Sequence, residues 1–304
     1  MEQSFIEWLR ATIPSAQRTR VGIGDDAAVL NWSPHSDLVV TSDLLADGTH
    51  FHLADDHAEA IGRKALAVNL SDLAAMGARP VGVTVSLLLP RVGASDLAQR
   101  LIHGMLPLCE QFGVAIVGGD TNTWDQGLVL DVTAFGQMDG QPPLTRAEAR
   151  PGDVILVTGE LGGSLMGRHM LFVPRIDEAI LLRNHSARAC MDISDGLTLD
   201  LSRMMAASGC GAELDLDAIP ISPDAVKMSL QAENERSPLE HALGDGEDFE
   251  LIVAIPADQA DRLIATQPMA VMLTRIGQFI EEEGLWGYRE MGDRRRLEPA
   301  GYLH

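Results

Sequence analysis

Two periods of apolar and polar positions run through the first half of this chain. DLVVTSD (37–43) is a short β-branched run, and VGVTVSLLLP (81–90) is a longer apolar run closed by Pro90; both predict strands. Between them Ala58, Ile61, Ala65, Val68, Leu73 and Met76 recur at helical spacing from Asp55 to Met76. Asp55 or Asp56 is placed to cap that helix and Gly77 to end it. Ser95 is placed to cap a helix running to Phe112, and VAIVGG (114–119) and LVLDVTAFG (128–136) predict two further strands.

The pattern breaks at MDGQPPLTRAEARPGD (138–153), whose three prolines and two glycines make it the best linker candidate. VILVTG (154–159) starts a second alternating set. Helical signals follow at 163–171, 175–183 and 197–208, and strand signals at 189–193, 212–216, 249–255 and 271–277. The expected fold is mixed α/β in two domains, 1–145 and 146–304. A chain of 304 residues exceeds the usual size of one core, which agrees with two domains.

Composition narrows the function. Apolar residues make up 46%, enough for a real interior, yet no run approaches the ~20 residues of a membrane span. MEQSFIEWLR shows no basic segment followed by an apolar core, so no signal peptide is expected. The three cysteines, Cys109, Cys190 and Cys210, form no CxxC and suit reduced thiols of a cytoplasmic protein. With 44 acidic against 23 basic residues the net charge is -21, which argues against nucleic acid or an anionic membrane as partner. A nucleotide triphosphate would need local cations, and bound Mg²⁺ is the natural means.

Acidic clusters supply the candidate chemistry. GIGDD (22–26), VVTSD (39–43), NLSD (69–72), GGDT (118–121) and MDISDG (191–196) set carboxylates beside Ser, Thr or Gly at the ends of apolar runs. These are hard oxygen donors of the kind Mg²⁺ takes. Singly, most have a plain alternative: a glycine turn with solvated acids for GIGDD, a turn cap for Asp43, an N-cap for Ser194 or Asp195. Asp72 is the exception, because a carboxylate between Leu70 and Leu73 on an apolar helix is costly unless paired or metal-bound. Lys64 and Arg63 precede it by two turns as sources of positive charge. GGDTN reads as a loop after a strand whose N–H groups meet phosphate. His50, Glu247 in GDGEDFE, and the aromatics Trp286 and Tyr302 are candidate substrate contacts, with ordinary packing as the alternative for the aromatics. The P-loop pattern, the protein-kinase motif set and zinc-type Cys/His clusters are all missing.

Taken in order, GIGDD, TSD, NLSDLAAMGARP, GGDTN, LTRAEARPGD, MDISDGL and GDGEDFEL resemble the motif series of thiamine-monophosphate kinase, with a weaker match at GYLH. That family sits in an ATP-dependent superfamily with aminoimidazole ribonucleotide synthetase, selenophosphate synthetase and a hydrogenase-maturation protein. The resemblance implies ATP-dependent phosphorylation of thiamine phosphate to thiamine diphosphate. The alternatives are another enzyme of the superfamily or a non-catalytic nucleotide-binding module. It implies several Mg²⁺ ions held by Asp26, Thr41, Ser42, Asp43, Asp72, Asp120, Asp192 and Asp195, with Asp43, Asp72 and Asp120 essential to catalysis. Gly119, Asp120, Arg146 and Ser194 would contact ATP; His50, Glu247 and Tyr302 would contact thiamine phosphate. It also implies an N-terminal metal- and ATP-binding domain whose sheet pairs with a second subunit in a homodimer, and a C-terminal domain completing the site. One departure is visible: the segment between GELGGS and MDISDG is short for the family.

Overall fold

The computed structural model describes residues 2–13, 18–21, 23, 28–32, 35–231, 235–290 and 292–302. The chain divides into two compact units, Met1–Leu73 with Ala78–Pro142, and Ala74–Gly77 with Pro143–His304.

The first unit runs α1 (Glu2–Thr12), β1 (Thr19–Val21), β2 (Val29–Leu30), β3 (Leu38–Ala46), α2 (Ala58–Ala75), β4 (Arg79–Pro90), α3 (Ala94–Phe112), β5 (Ala115–Trp124) and β6 (Val129–Gln137), the last turn of α2 counting with the second unit. Its four-stranded sheet has the order β3-β6-β4-β5. β4 and β5 are parallel and linked by α3; the other pairs are antiparallel. One face is apolar and buried, with Val83, Val85, Leu87, Leu130, Val132 and Ala134. On the other face β3 exposes every second residue, and Leu38, Val40 and Leu44 are 52%, 53% and 57% exposed. Such a half-open face follows from the strict period of two in a strand covered on one side only.

Glycine ends α2 as its sequence predicts. Gly77 has φ 66°, its N–H donates to Ala74 O (2.7 Å), and the Ala78 N–H donates to Leu73 O (2.9 Å), a Schellman closure. The start differs from expectation. The helix begins at Ala58, and Asp56 Oδ2 instead accepts the His52 N–H (2.8 Å), closing a turn before it. Ser95 likewise lies inside α3, behind Gly93 at φ 74°, and no side chain caps that end.

The second unit contains β7 (Val154–Thr158), α4 (Ile176–Asn184), β8 (Ala189–Asp192), α5 (Leu197–Ser208), β9 (Gly211–Asp215), α6 (Pro223–Ser229), α7 (Pro238–Gly244), β10 (Leu251–Ile255), α8 (Ala257–Thr266), β11 (Leu273–Ile280), β12 (Leu285–Tyr288) and β13 (Arg295–Arg296). Its seven-stranded sheet, β13-β12-β9-β11-β7-β10-β8, is antiparallel except for β9 with β12. The core gathers Ile155, Val157, Met191, Leu201, Met204, Leu214, Ile252 and Phe279. Most of the expected linker is packed structure here. The Leu144 N–H donates to Met76 O, Thr145 bridges to Ala189, Ala149 joins the core, and Arg188 donates to Asp153 Oδ1 (2.7 Å). The helix expected at 163–171 is two 3₁₀ turns, Ser164–Met166 and Arg168–Met170, parted by Gly167 at φ 124°.

Candidate active site

In the first unit the strand period sorts the TSD residues. Thr41 and Asp43 lie opposite Ala134 and Val132, on the apolar-face side of the sheet. Thr41 Oγ1 donates to Asp72 Oδ2 at 2.5 Å, so β3 and α2 bring two predicted site residues together. Both Asp43 and Asp72 are half-buried rather than enclosed, so the carboxylate on this apolar helix keeps part of its surface open to solvent. Ser42 alternates to the other face, where its hydroxyl donates to Asp131 Oδ1 (2.9 Å) and lies 3.0 Å from the Thr133 hydroxyl. Asp131 was not singled out by sequence. Its place in an alternating strand, LVLDVTAFG, was the available signal.

GGDTN is not a loop. β5 continues through it to Trp124, because β4 pairs with it residue by residue up to Pro90. A register shift between Val83 and Thr84 leaves Val117 unpaired just before the two glycines, and Gly119 takes φ 155°. A Cβ on Gly119 would sit 1.8 Å from Val85 O, so only glycine fits here. Asp120 is exposed, pairs with Ser86 in register, and its Oδ1 accepts the Thr121 N–H (2.8 Å). β5 is also an edge strand, so one row of its backbone groups is not used by the sheet.

His50 sits in the turn after β3. Its Nδ1 accepts the Ala46 N–H (3.1 Å), so in the neutral ring the proton belongs on Nε2. The buried Lys64 Nζ donates to His50 O (2.8 Å), tying α2 to this turn. Asp26 lies outside the described residues.

In the second unit three loops converge. The MDISDG turn follows β8, and Asp192 and Asp195 are both buried. Gly196 is the N-cap of α5 and offers no side-chain cap, so neither Ser194 nor Asp195 serves in that role. Asp200, one turn in, accepts the N–H groups of Asp195 (2.9 Å) and Gly196 (3.1 Å), and burial pushes its carboxyl above the usual range. Arg203 Nη1 reaches both Asp195 Oδ2 (2.5 Å) and Asp200 Oδ1 (2.6 Å).

The GDGEDFE loop lies against this turn, since the Glu247 N–H donates to Ser194 O (2.7 Å) and the Phe249 N–H to Ile193 O (2.8 Å). Glu247 at φ 62° and Phe249 at φ 51° are both left-handed without being glycine. The same loop grips GELGGS. Asp248 accepts the Gly162 N–H, Asp245 accepts the Gly163 N–H, and Ser164 Oγ donates to Glu247 O. Burial pushes Asp248 up to about 8, opposed by Arg168 at 2.7 Å and by the Gly162 N–H. Glu250, in an ion pair with Arg175, also accepts from Thr158 Oγ1 (2.6 Å). Three of the four acids in this segment therefore build the loop scaffold; Glu247 is the half-exposed one.

Tyr302 N–H donates to Asp195 O (2.9 Å), which sets this half-exposed aromatic residue beside the MDISDG turn. Arg146 is exposed, and its carbonyl accepts from Ser208 Oγ (3.1 Å). Trp286 is occupied otherwise, because the Arg294 guanidinium lies 4.2 Å over its ring. Ser194, Asp195, Glu247 and Tyr302 are thus brought together within the second unit, and Thr41 and Asp72 within the first. Among the described residues no group of three His, Cys, Asp or Glu side chains is arranged to hold a metal ion. No described helix is long and apolar enough to cross a membrane.

Residues 24–138 match the N-terminal domain of the AIR synthase related protein family and residues 150–286 its C-terminal domain. The chain is 40% identical to the thiamine-monophosphate kinase of Rhodopirellula baltica, an alignment spanning 100% of this chain and 97% of that protein. A crystal structure of thiamine-monophosphate kinase from Stenotrophomonas maltophilia superposes with TM-score 0.81 at 35% identity, covering 94% of this chain and 95% of the other. The structure described as AaThiL complexed with AMPPCP and TMP superposes with TM-score 0.78 at 28% identity, covering 100% and 96%.

Proposed function

The chain belongs to the thiamine-monophosphate kinase family, and from that premise we propose that it transfers the terminal phosphoryl group of ATP directly to thiamine phosphate, giving ADP and thiamine diphosphate. The observation that carries this reading is the match along the whole chain at 40% identity, together with a related fold that holds AMPPCP and TMP. The nucleophile is a phosphate oxygen of the substrate. A phosphate monoester has a second pKa of about 6, so it is largely a dianion at neutral pH and needs no strong general base.

Repulsion between two polyanions is the main obstacle, and the donor chemistry of the site suits Mg²⁺. Thr41 offers a hydroxyl oxygen and Asp43 and Asp72 offer half-buried carboxylates, and Mg²⁺ needs only one or two protein carboxylates beside phosphates and water. The proposed holders are Asp26, Thr41, Ser42, Asp43, Asp72 and Asp120 in the first unit and Asp192 and Asp195 in the second. Bound there, Mg²⁺ supplies charge neutralisation and alignment for in-line transfer. The Thr41 hydroxyl orients Asp72 for this task. Gly119, Asp120, Arg146 and Ser194 hold ATP, with Gly119 keeping the β5 backbone free of any side chain. His50 presents its Nε2 proton to the substrate phosphate, Glu247 meets the cationic part of thiamine phosphate, and Tyr302 stacks on a ring.

The exposed apolar row Leu38, Val40 and Leu44 supports a homodimer formed through the first unit's sheet. A cytoplasmic location fits three free cysteines. The test is ADP release with Mg²⁺ and ATP, with and without thiamine phosphate. Release that requires thiamine phosphate is expected. Hydrolysis independent of it, or no release, would favour another member of the superfamily or a nucleotide-binding module.

A further inference from the structure

The segment before Tyr302 is held down by more contacts than an exposed tail requires. The Leu297 N–H donates to Leu285 O (2.8 Å), the Ala300 N–H to Thr198 Oγ1 (2.9 Å) and the Tyr302 N–H to Asp195 O (2.9 Å). Thr198 is 1% exposed, in the first turn of α5. Its hydroxyl oxygen accepts from the Ala300 N–H and lies 3.0 Å from two carbonyls, Leu243 O and Ala300 O, either of which can take its one proton. A hydroxyl has one proton and can accept as well, so this one group joins α5, the end of α7 and the C-terminal segment.

The surroundings are shaped for close passage. A Cβ on Gly301 would lie 2.4 Å from Asp195 O and 2.8 Å from the Leu199 side chain. Cβ atoms on Gly196 and Gly244 would come within 3.2 Å of Ala300 O and 3.0 Å of Ala300 Cβ. The segments therefore pass each other closely at glycine positions, and Tyr302 emerges beside the turn that carries Ser194 and Asp195.

We infer that Thr198 is a positioning residue for substrate binding: its buried hydroxyl clamps the C-terminal segment so that Tyr302 is presented to the aromatic, cationic part of the substrate. This rests on the kinase reading given above for Tyr302. Thr198 touches no reacting atom. It acts through Tyr302, and its effect should fall on the acceptor substrate and not on ATP.

The experiment compares wild type, Thr198→Val, Thr198→Ser, Tyr302→Ala and the Thr198→Val/Tyr302→Ala double variant in the full chain. Valine keeps the shape and removes the hydroxyl, while serine keeps the hydroxyl. Thr198→Val should raise KM for thiamine phosphate about tenfold, the size of one lost buried hydrogen-bonding group, with KM for ATP and kcat within about twofold. Thr198→Ser should stay near wild type. The double variant should be no worse than Tyr302→Ala alone, because the two act through one contact. Carboxypeptidase should also remove Tyr302 faster from Thr198→Val than from wild type. An unchanged KM for thiamine phosphate in Thr198→Val, an equal rise for ATP, additive losses in the double variant, or unchanged trimming would each overturn the inference. Failure of the kinase reading would show separately, as wild-type protein that releases no ADP in response to thiamine phosphate.

Discussion

Two adjacent glycines in β5 should respond oppositely to the same substitution. In Gly119→Ala the new methyl would start 1.8 Å from Val85 O, 2.7 Å from Val85 C and 2.9 Å from Val85 N. All three are backbone atoms of the neighbouring strand, so no rotamer change relieves the clash, and β4 and β5 must part by roughly 1 Å. That breaks ladder hydrogen bonds worth about 1 kcal/mol each. The φ of 155°, which side chains rarely adopt, adds about 1–3 kcal/mol. The expected loss is about 3–5 kcal/mol. In Gly118→Ala the nearest atom is Thr84 Cγ2 at 3.8 Å, an ordinary contact. Alanine there should be neutral or stabilising by about 0.5 kcal/mol through lower unfolded-state entropy. Urea unfolding followed by circular dichroism reads the difference. With a slope of about 2–3 kcal/mol per molar urea, Gly119→Ala should move the first transition down by about 1 M or more, and Gly118→Ala should barely move it. Equal midpoints, or a larger loss for Gly118→Ala, would refute the geometry proposed for the GGDT strand.

Other expectations concern charge and thiols. Asp72→Asn should cut kcat by about 100-fold or more at saturating Mg²⁺ and ATP while the melting temperature shifts by only a few degrees; near-normal turnover would sink the metal role. Asp248 has a folded pKa near 8 against 3.8 for the ordinary carboxyl, so the fold favours its protonated form. Its stabilising contribution is complete below pH ~4 and is lost as pH rises toward 8, so wild-type stability measured against Asp248→Asn should decline over that window. A relative rise would mean that Arg168 and the Gly162 N–H outweigh burial. Burial pushes the Cys109 thiol up to about 12 and raises Cys190 and Cys210 as well. A thiol reagent at pH 8 should therefore label the three cysteines slowly in the folded protein and quickly in denaturant; rapid native labelling of two or more would contradict this.

Elements were legible where one signal dominated. α2 carries a long periodic run and a terminal glycine, and β3, β4 and β6 carry clean apolar patterns. Prediction failed where local and tertiary cues compete. Asp56 satisfies a turn before it can cap a helix, and two glycines disguise a strand that β4 holds in register. α6 and α7 were missed although each opens on Ser-Pro, and Ser237 with Glu240 forms a full capping box. At the site, residue types pointed to Thr41 and Asp72, which the fold joins. What sequence could not assign was side: Ser42 and Asp43 are neighbours in the chain and lie on opposite faces of β3. Nor could it divide the acids of GDGEDFE between scaffold and exposure, since that depends on where GELGGS returns.

The left-handed pair in the GDGEDFE loop has a consequence for anyone improving this protein. Glu247 and Phe249 each hold a backbone conformation that glycine would adopt at no steric cost, which costs each about 1 kcal/mol; Phe249 offsets it by burial and by stacking on Phe172, and half-exposed Glu247 does not. A selection for heat resistance alone would therefore reward Glu247→Gly. The same change deletes the half-exposed carboxylate of that loop. On the role proposed for Glu247, thermostability and acceptor recognition are opposed at a single codon, and a stabilised library should be screened for thiamine phosphate affinity before its best melters are trusted.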